Sequence, residues 1–376
     1  MVDGYLIAVA IISGLVAFSI GANDAADSLG TSYGSGAAPI YILILLGSCC
    51  EFVGAYWCSG HVAGTLIDKV IDDWEDLDLK IVDRMMLSAS SASFFFIIVA
   101  TLFKMPISGT HTIVGALLGV GLAAVGVDGI NWHEIGIVIA GWVVSPILSS
   151  VLCILLFTAV CTFTVDKDRY TFGTRILVLT LLAGIAVFLI VLLLIKLITT
   201  KADYWPTSAV IALGVSPVLG IFVCRAILAV LVKPKTVCQG IALVLKFWNG
   251  SDFNLHVEEK NTQEINASVL LRQSITDPQA RLEFDEQSKS GVINGVYRYL
   301  MLVAAMMVCV SHGSNDVANG ISPFIAILSQ EGKSVKWAYV DGSLGIALGL
   351  LILGWTVMET VGKKVVRLDF AKGFSA

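Results

Sequence analysis

Charge is what this chain has least of. Only 14% of its 376 residues are Asp, Glu, Lys or Arg, against about 25% in soluble globular proteins. That leaves too few solvated groups to cover a water-facing surface, which excludes a water-soluble enzyme. The net charge of −5 is small and drawn from mixed signs, which argues against nucleic acid as a partner. Paired cysteine motifs are missing too. Cys49, Cys50, Cys58, Cys153, Cys161, Cys224 and Cys309 lie in apolar runs, Cys238 follows one, and no CxxC finds a matching partner. Zinc and redox chemistry are therefore unsupported, and the thiols read as small hydrophobes. The first four residues hold Asp3 but no Lys or Arg, so no cleavable signal peptide is expected.

What fills the space is apolar: 56% of the residues are hydrophobic and the mean hydropathy is +0.85. Nine apolar segments stand out, over 5–22, 38–60, 85–103, 110–127, 133–163, 174–199, 207–232, 292–312 and 335–358. Continuous runs near the ~20 residues of a bilayer crossing predict helices rather than a barrel. The expected fold class is an all-α polytopic membrane protein with nine transmembrane helices. The fifth segment is too long for one upright crossing, so it is tilted or bent near Pro146. Residues 233–291 carry Glu258, Glu259, Lys260, Arg272, Asp277, Arg281, Glu283, Asp285, Glu286 and Lys289, and read as one long extramembrane loop. Its start, Cys238 to Trp248, is a candidate interfacial helix.

Basic residues orient the spans. One side carries Lys69, Lys80, Arg84, Lys201, Lys333 and Lys336. The other carries Lys104, Lys167, Arg169, Arg175, Lys363, Lys364, Arg367 and Lys372 as well as the long loop. The richer side belongs to the cytoplasm, which puts the N-terminus outside and loop 233–291 in the cytosol. The sequons at Asn249 and Asn266 then never meet the glycosylation machinery.

An internal repeat carries the chemistry. Ser19-Ile-Gly-Ala-Asn-Asp-Ala-Ala-Asp27 aligns with Ser311-His-Gly-Ser-Asn-Asp-Val-Ala-Asn319, and Gly54/Gly349, Val62/Val357 and Thr65/Thr360 extend the match after a three-residue insertion. The copies fall in the first and eighth spans. An odd offset makes them cross in opposite senses, which is an inverted-topology repeat. Intramembrane carboxylates must face a partner or a wet cavity. Gly before Asn-Asp in both copies marks points where the helices can unwind, the sequence pointer to a transporter's central site. Carboxylate and carbonyl oxygens suit a hard cation, and freed helix N-termini suit an anion. The alternative is an Asn-Asp pair serving as a helix cap at the membrane surface, an explanation weakened by its needing to apply twice.

A second box runs from Pro106-Ile-Ser-Gly-Thr-His111 to Gly119. Pro, Ser and Thr ahead of an apolar stretch are a helix start signal, and Ser108, Thr110 and Thr112 would set hydroxyls beside unpaired amides to cradle an oxyanion. Gly115 and Gly119 offer a small-residue packing face. His111 reads either as a proton carrier or as a hydrogen-bonded structural imidazole. Glu51, alone in the second span, reads as a partner for a buried polar group or as a cation or proton site.

The stretch Gly21 to Ala37, the Pro-x-Ser-x-Thr-His box and His312-Gly-Ser-Asn-Asp-Val-Ala-Asn319 resemble the inorganic phosphate transporter (PiT) family over nearly the whole chain. The resemblance implies symport of inorganic phosphate with Na⁺ or H⁺ by alternating access, through twelve helices in two inverted repeats, with no enzymatic activity and no cofactor beyond the coupling ion. It implies that Asp24, Glu51 and Asp316 are transport residues, expected to serve the cation, with Asp24 and Asp316 as Na⁺ ligands if sodium is the coupling ion. By the same match Asn23, Asn315, Asn319, Ser108 and Thr110 belong to the phosphate and cation site; Thr112 and Ser314 are further phosphate candidates, and His111 is a possible proton site. Asp27 stands where the family's motif usually has Asn, and its added negative charge makes it a candidate for an extra cation or for proton coupling; Gly109 stands where the family has Thr or Ala.

The expected organisation is a first five-helix repeat (1–163), two central helices (164–232), the loop (233–291) and a second repeat cut short (292–376). Arg367 to Ala376 resembles the connector to three further helices, which are expected on this chain or on a partner chain; a homodimer is the other partner arrangement. Lipid surrounds the protein, and the plasma membrane is expected ahead of an organelle. Competing readings are transport of sulfate or another tetrahedral oxyanion, a non-transporting subunit or receptor, and an intramembrane aspartyl protease. The last expects Gly-x-Gly-Asp where both copies here read Gly-x-Asn-Asp.

Overall fold

The computed structural model describes residues 4–59, 66–165, 171–198, 278–361 and 370–375. The seventh apolar segment, the Cys238–Trp248 candidate, both sequons and the repeat positions Val62 and Thr65 lie outside them. The described residues are helical, with one isolated β-bridge. In chain order the helices are α1 (Gly4–Gly34), α2 (Ile40–Cys58), α3 (Leu79–Leu102), α4 (Gly109–Ala124), α5 (Trp132–Val160), α6 (Phe172–Ile198), α7 (Pro278–Gln330), α8 (Lys336–Leu353), α9 (Trp355–Thr360) and α10 (Phe370–Ser375). Six described helices are long and apolar enough to cross a membrane. α7 starts at Pro278, so residues 278–291, read from their charge as loop, are helical. α5 carries Pro146 without interruption and runs into a π-helical turn at Cys161–Val165.

Local signals set the helix ends. The Asp78 carboxylate accepts from the Lys80 amide at the start of α3, and Ser108 Oγ accepts from the His111 amide at the start of α4. Both are side-chain caps for amides that lack a helical partner. Gly36, between α1 and α2, has φ 72°, a conformation that Gly adopts without strain.

The chain divides into two compact units. One contains α1 to α4, α5 as far as Ile154, α7 from Ala305, α8 and α9. Its helices cross at glycines. A Cβ on Gly21 would overlap the Ile346 carbonyl, one on Gly349 the Phe18 carbonyl, one on Gly313 the Glu51 carbonyl, and one on Gly54 the Val310 carbonyl. These four contacts are related by the internal repeat: Gly21 and Phe18 match Gly313 and Val310, and Gly349 matches Gly54. The first helix of each copy therefore packs on the second helix of the other copy.

The same contacts give the helix directions. Along α1, Gly14, Ala25 and Gly30 meet Asp341, Gly354 and Val361 in turn, so α1 and α8 run parallel. Gly47, Glu51 and Cys58 of α2 meet Cys309, Gly313 and Ser314 of α7, so these two are parallel as well. The α1–α2 hairpin then makes α7 opposite in direction to α1. The inverted repeat deduced from counting spans is present in the packing.

Outside the helices, the acidic segment after α2 folds down on this unit. Ile71 bridges Ile130, Trp74 Nε1 donates to Asp68 Oδ1 at 2.6 Å, and Gln330 Nε2 donates to the Leu77 carbonyl at 2.9 Å. Of the described residues, the other unit contains Gly36–Pro39, 155–165, 171–198, 278–304 and the α10 segment. Its core joins Val160, Leu179, Val296, Tyr297 and Leu300. Thr164 organises its polar contacts, with Oγ1 2.6 Å from Tyr297 Oη and its carbonyl accepting from Arg175 Nε at 2.6 Å.

Candidate functional site

The repeated motif stays helical. Residues 19–27 lie within α1 and 311–319 within α7. The expectation that the helices unwind there is corrected: the glycines serve close crossing of backbones instead. Bringing α2 against α7 at Gly313 and Gly54, and α1 against α7 at Gly320, is what gathers the acidic side chains.

At the centre sits His312. Its Nδ1 lies 2.8 Å from Glu51 Oε1, and its Nε2 lies 3.4 Å from Asp24 Oδ2 and 3.4 Å from Asp316 Oδ2. One imidazole thus faces three carboxylates, two from the first copy and one from the second. Glu51 is completely buried, and its Oε2 has no hydrogen-bond partner among the described residues. Three carboxylates facing one imidazole leave a deficit of positive charge in an apolar surrounding. Such a set calls for cations or protons. His312 was missed as a site residue by sequence reasoning. The signal was available, because His312 replaces Ile20 of the first copy within the matched motif.

Around this cluster the two copies hold the Pro106–His111 box. Asn23 Nδ2 donates to Thr101 Oγ1 and to the Met105 carbonyl, both at 2.9 Å, and its Oδ1 accepts from the Ile107 amide at 2.8 Å. Asn23 therefore fixes the extended segment leading into α4. From the second copy, Asn319 Nδ2 donates to Thr110 Oγ1 at 2.9 Å and to Asp316 Oδ1 at 2.8 Å. Gly109 leaves room for this docking, since a Cβ there would come 3.2 Å from Ile20 Cγ1 and 3.6 Å from Asp24 Oδ2. The start of α4, with its unpaired amides, is thereby held against Asp24 by both repeats.

Other candidates are placed differently. Thr112 Oγ1 donates to the Ser108 carbonyl at 2.9 Å, and Ser314 Oγ to the Cys58 carbonyl at 3.4 Å, so both hydroxyls serve backbone. Ser108 is exposed and spends one lone pair on its cap. Asn315 is exposed and makes no hydrogen bond among the described residues, in contrast to Asn23. Asp27 is exposed as well. His111 stacks on Trp142, with ring centroids 3.8 Å apart and planes at 24°. Among the described residues no three His, Cys, Asp or Glu side chains are arranged as a metal site; the imidazole takes the middle of the carboxylate group.

Residues 20–376 match the model of the phosphate transporter family. A protein of Haemophilus influenzae named "Putative phosphate permease" is 29% identical over 98% of this chain and 79% of its own length. One of the same name from Helicobacter pylori is 27% identical over 98% of this chain and 62% of its own. A solved structure described as the sodium-dependent phosphate transporter superposes with a TM-score of 0.74 at 26% identity, covering 99% of this chain and 81% of that one.

Proposed function

The chain belongs to the phosphate transporter family, and from that premise we propose that it carries inorganic phosphate across a membrane by symport with Na⁺, through alternating access of its two inverted repeats. The observation that supports this reading best is the meeting of Asp24, Glu51 and Asp316 around His312. Acidic groups from both repeats share one buried imidazole, so a monovalent cation bound there interacts with both halves at once. Na⁺ is favoured over H⁺ by the likeness to the solved sodium-dependent phosphate transporter and by the hard oxygen character of Asp24 and Asp316.

In this reading Asp24 and Asp316 hold the coupling ion, and Glu51 and His312 set the charge around it. Phosphate lies at the start of α4, where the amides following Ser108 and the hydroxyl of Thr110 are presented beside the cation. A bound cation lowers the cost of bringing the anion near three carboxylates, so the cation binds first. Because Asn319 ties Thr110 to Asp316, a change at the cation side reaches the anion side directly. The N-terminus outside, loop 233–291 in the cytosol and residence in the plasma membrane remain part of the proposal, argued from the basic residues.

The test is uptake of labelled phosphate by proteoliposomes under an inward Na⁺ gradient, with a proton gradient of equal size as comparison. Concentrative uptake with Na⁺ is the expected result. Uptake that follows only the proton gradient overturns the choice of ion, and no uptake under either gradient overturns the transport reading.

A further inference from the structure

We propose that Lys104 is a capture residue for the transported phosphate, drawing the anion to the start of α4 without being its final ligand. The inference rests on the phosphate-transport reading above. It comes from the way α3 ends. The Lys104 amide donates to the Thr101 carbonyl at 2.9 Å, and the Met105 amide to the Ala100 carbonyl at 2.9 Å. These two bonds are the paired closure of a Schellman motif. The motif needs a left-handed residue where Lys104 stands, and its φ is 60°. Glycine takes up that conformation without strain, whereas a Cβ disfavours it. A lysine at a place where glycine folds better points to a use for its ammonium.

Its surroundings give that use. Lys104 adjoins the segment that Asn23 holds by the Met105 carbonyl at 2.9 Å and the Ile107 amide at 2.8 Å, beside Asp24 of the cation cluster. Ser108, which caps α4, is four residues on, so its Cα lies at most about 14 Å from that of Lys104. Lys104 is exposed, and its Nζ rests 5.8 Å from the centre of the Trp355 ring. Gly354, next to Trp355, packs on Ala25 of α1, so the ammonium sits at the edge of the site. The other Lys and Arg described in this unit are Lys69, Lys80, Arg84, Lys333 and Lys336. They lie towards the opposite end of α3, a helix of 24 residues and so about 36 Å long. Among the described residues of the unit, Lys104 is thus the one lysine or arginine at the end where α4 starts. A dianion approaching Asp24, Glu51 and Asp316 is repelled until it reaches the α4 amides. A fixed positive charge at the rim counters that repulsion and raises the local phosphate concentration. The exposed cation–π contact with Trp355 is weak, so the ammonium can leave the ring as phosphate arrives. A lipid headgroup offers the same phosphate oxyanion; the direct chain link to the segment held by Asn23 favours the free anion.

The experiment measures equilibrium binding of labelled inorganic phosphate to the full chain in nonionic detergent. Na⁺ is held constant, choline chloride is varied, and mildly alkaline pH makes phosphate chiefly a dianion. Lys104→Gln is expected to weaken phosphate binding about threefold to fivefold at low ionic strength, the effect of one unit charge on a dianion roughly 10 Å away in water. The difference from wild type closes as choline chloride is raised, and Lys104→Arg binds as wild type does. Lys104→Gly separates function from folding. Its backbone suits the motif, so its melting temperature is not lowered, yet its phosphate affinity falls as far as that of Lys104→Gln. Wild-type affinity in Lys104→Gly overturns the proposal, and so does a loss in Lys104→Gln that salt leaves unchanged. An equal loss in Trp355→Leu also overturns it, since that would make the pair a latch between helices. So does an effect of Lys104→Gln that appears only in nanodiscs containing anionic lipid, which would assign the ammonium to a headgroup. Absence of phosphate binding by wild type at every salt concentration defeats the transport reading itself.

Discussion

Replacing Glu51 by Gln keeps the volume of a fully buried side chain and removes its charge. The 2.8 Å contact to His312 Nδ1 then changes from a charge-assisted to a neutral hydrogen bond. The first kind contributes about 1.5–3 kcal/mol and the second about 0.5–1.5, so the change costs roughly 1–1.5 kcal/mol, five- to tenfold in an affinity. The loss is felt by whatever cation the cluster binds, because one of the three negative charges is gone. We therefore expect Glu51→Gln to raise the Na⁺ concentration for half-maximal phosphate uptake by about five- to tenfold. The assay is initial uptake in proteoliposomes as a function of Na⁺, on variants that elute as a single species. His312→Gln and the double variant complete a cycle. If the two groups act as one unit, the double variant is less impaired than the product of the singles, by a coupling of about 0.5–3 kcal/mol. Strictly additive effects would refute the view that His312 and Glu51 form an energetic pair.

Gly21→Ala and Gly313→Ala each drive a methyl into a backbone carbonyl of the crossing helix, Ile346 and Glu51 respectively. Overpacking of this kind costs about 1–3 kcal/mol or more, so both should lower the melting temperature of the detergent-solubilised protein, whereas Gly115→Ala, with open space around it, should not. Ser108→Ala removes the α4 cap, worth about 1 kcal/mol, and is expected to raise the phosphate KM several-fold. Thr112→Val loses only a hydroxyl already given to the Ser108 carbonyl and should change the phosphate KM by less than about threefold, the low end of one neutral hydrogen bond at about 0.5 kcal/mol.

Much of this was legible in the sequence, for reasons that differ by residue. The membrane class followed from composition, and the inverted repeat from matching Gly21-Ala-Asn-Asp with Gly313-Ser-Asn-Asp; both are one-dimensional signals. The cluster of Asp24, Glu51 and Asp316 was foreseeable only in membership, since an intramembrane acid must find a partner but does not name it. His312 was the partner. It escaped notice because motif matching rewards identity, and His312 is where the copies differ. The role of the glycines was misread for a related reason: Gly permits both unwinding and close approach, and only the crossing of α1 with α8 and of α2 with α7 decides between them. Thr101, which receives the Asn23 amide, lies 78 residues away with no pattern to mark it.

The central claim is that one acid from each repeat holds the coupling ion. It is tested most directly by Na⁺-driven uptake of labelled phosphate in proteoliposomes of wild type, Asp24→Asn and Asp316→Asn. The account predicts concentrative uptake by wild type and a fall to the protein-free background in each variant alone. Sodium-driven uptake that survives in either variant would contradict it.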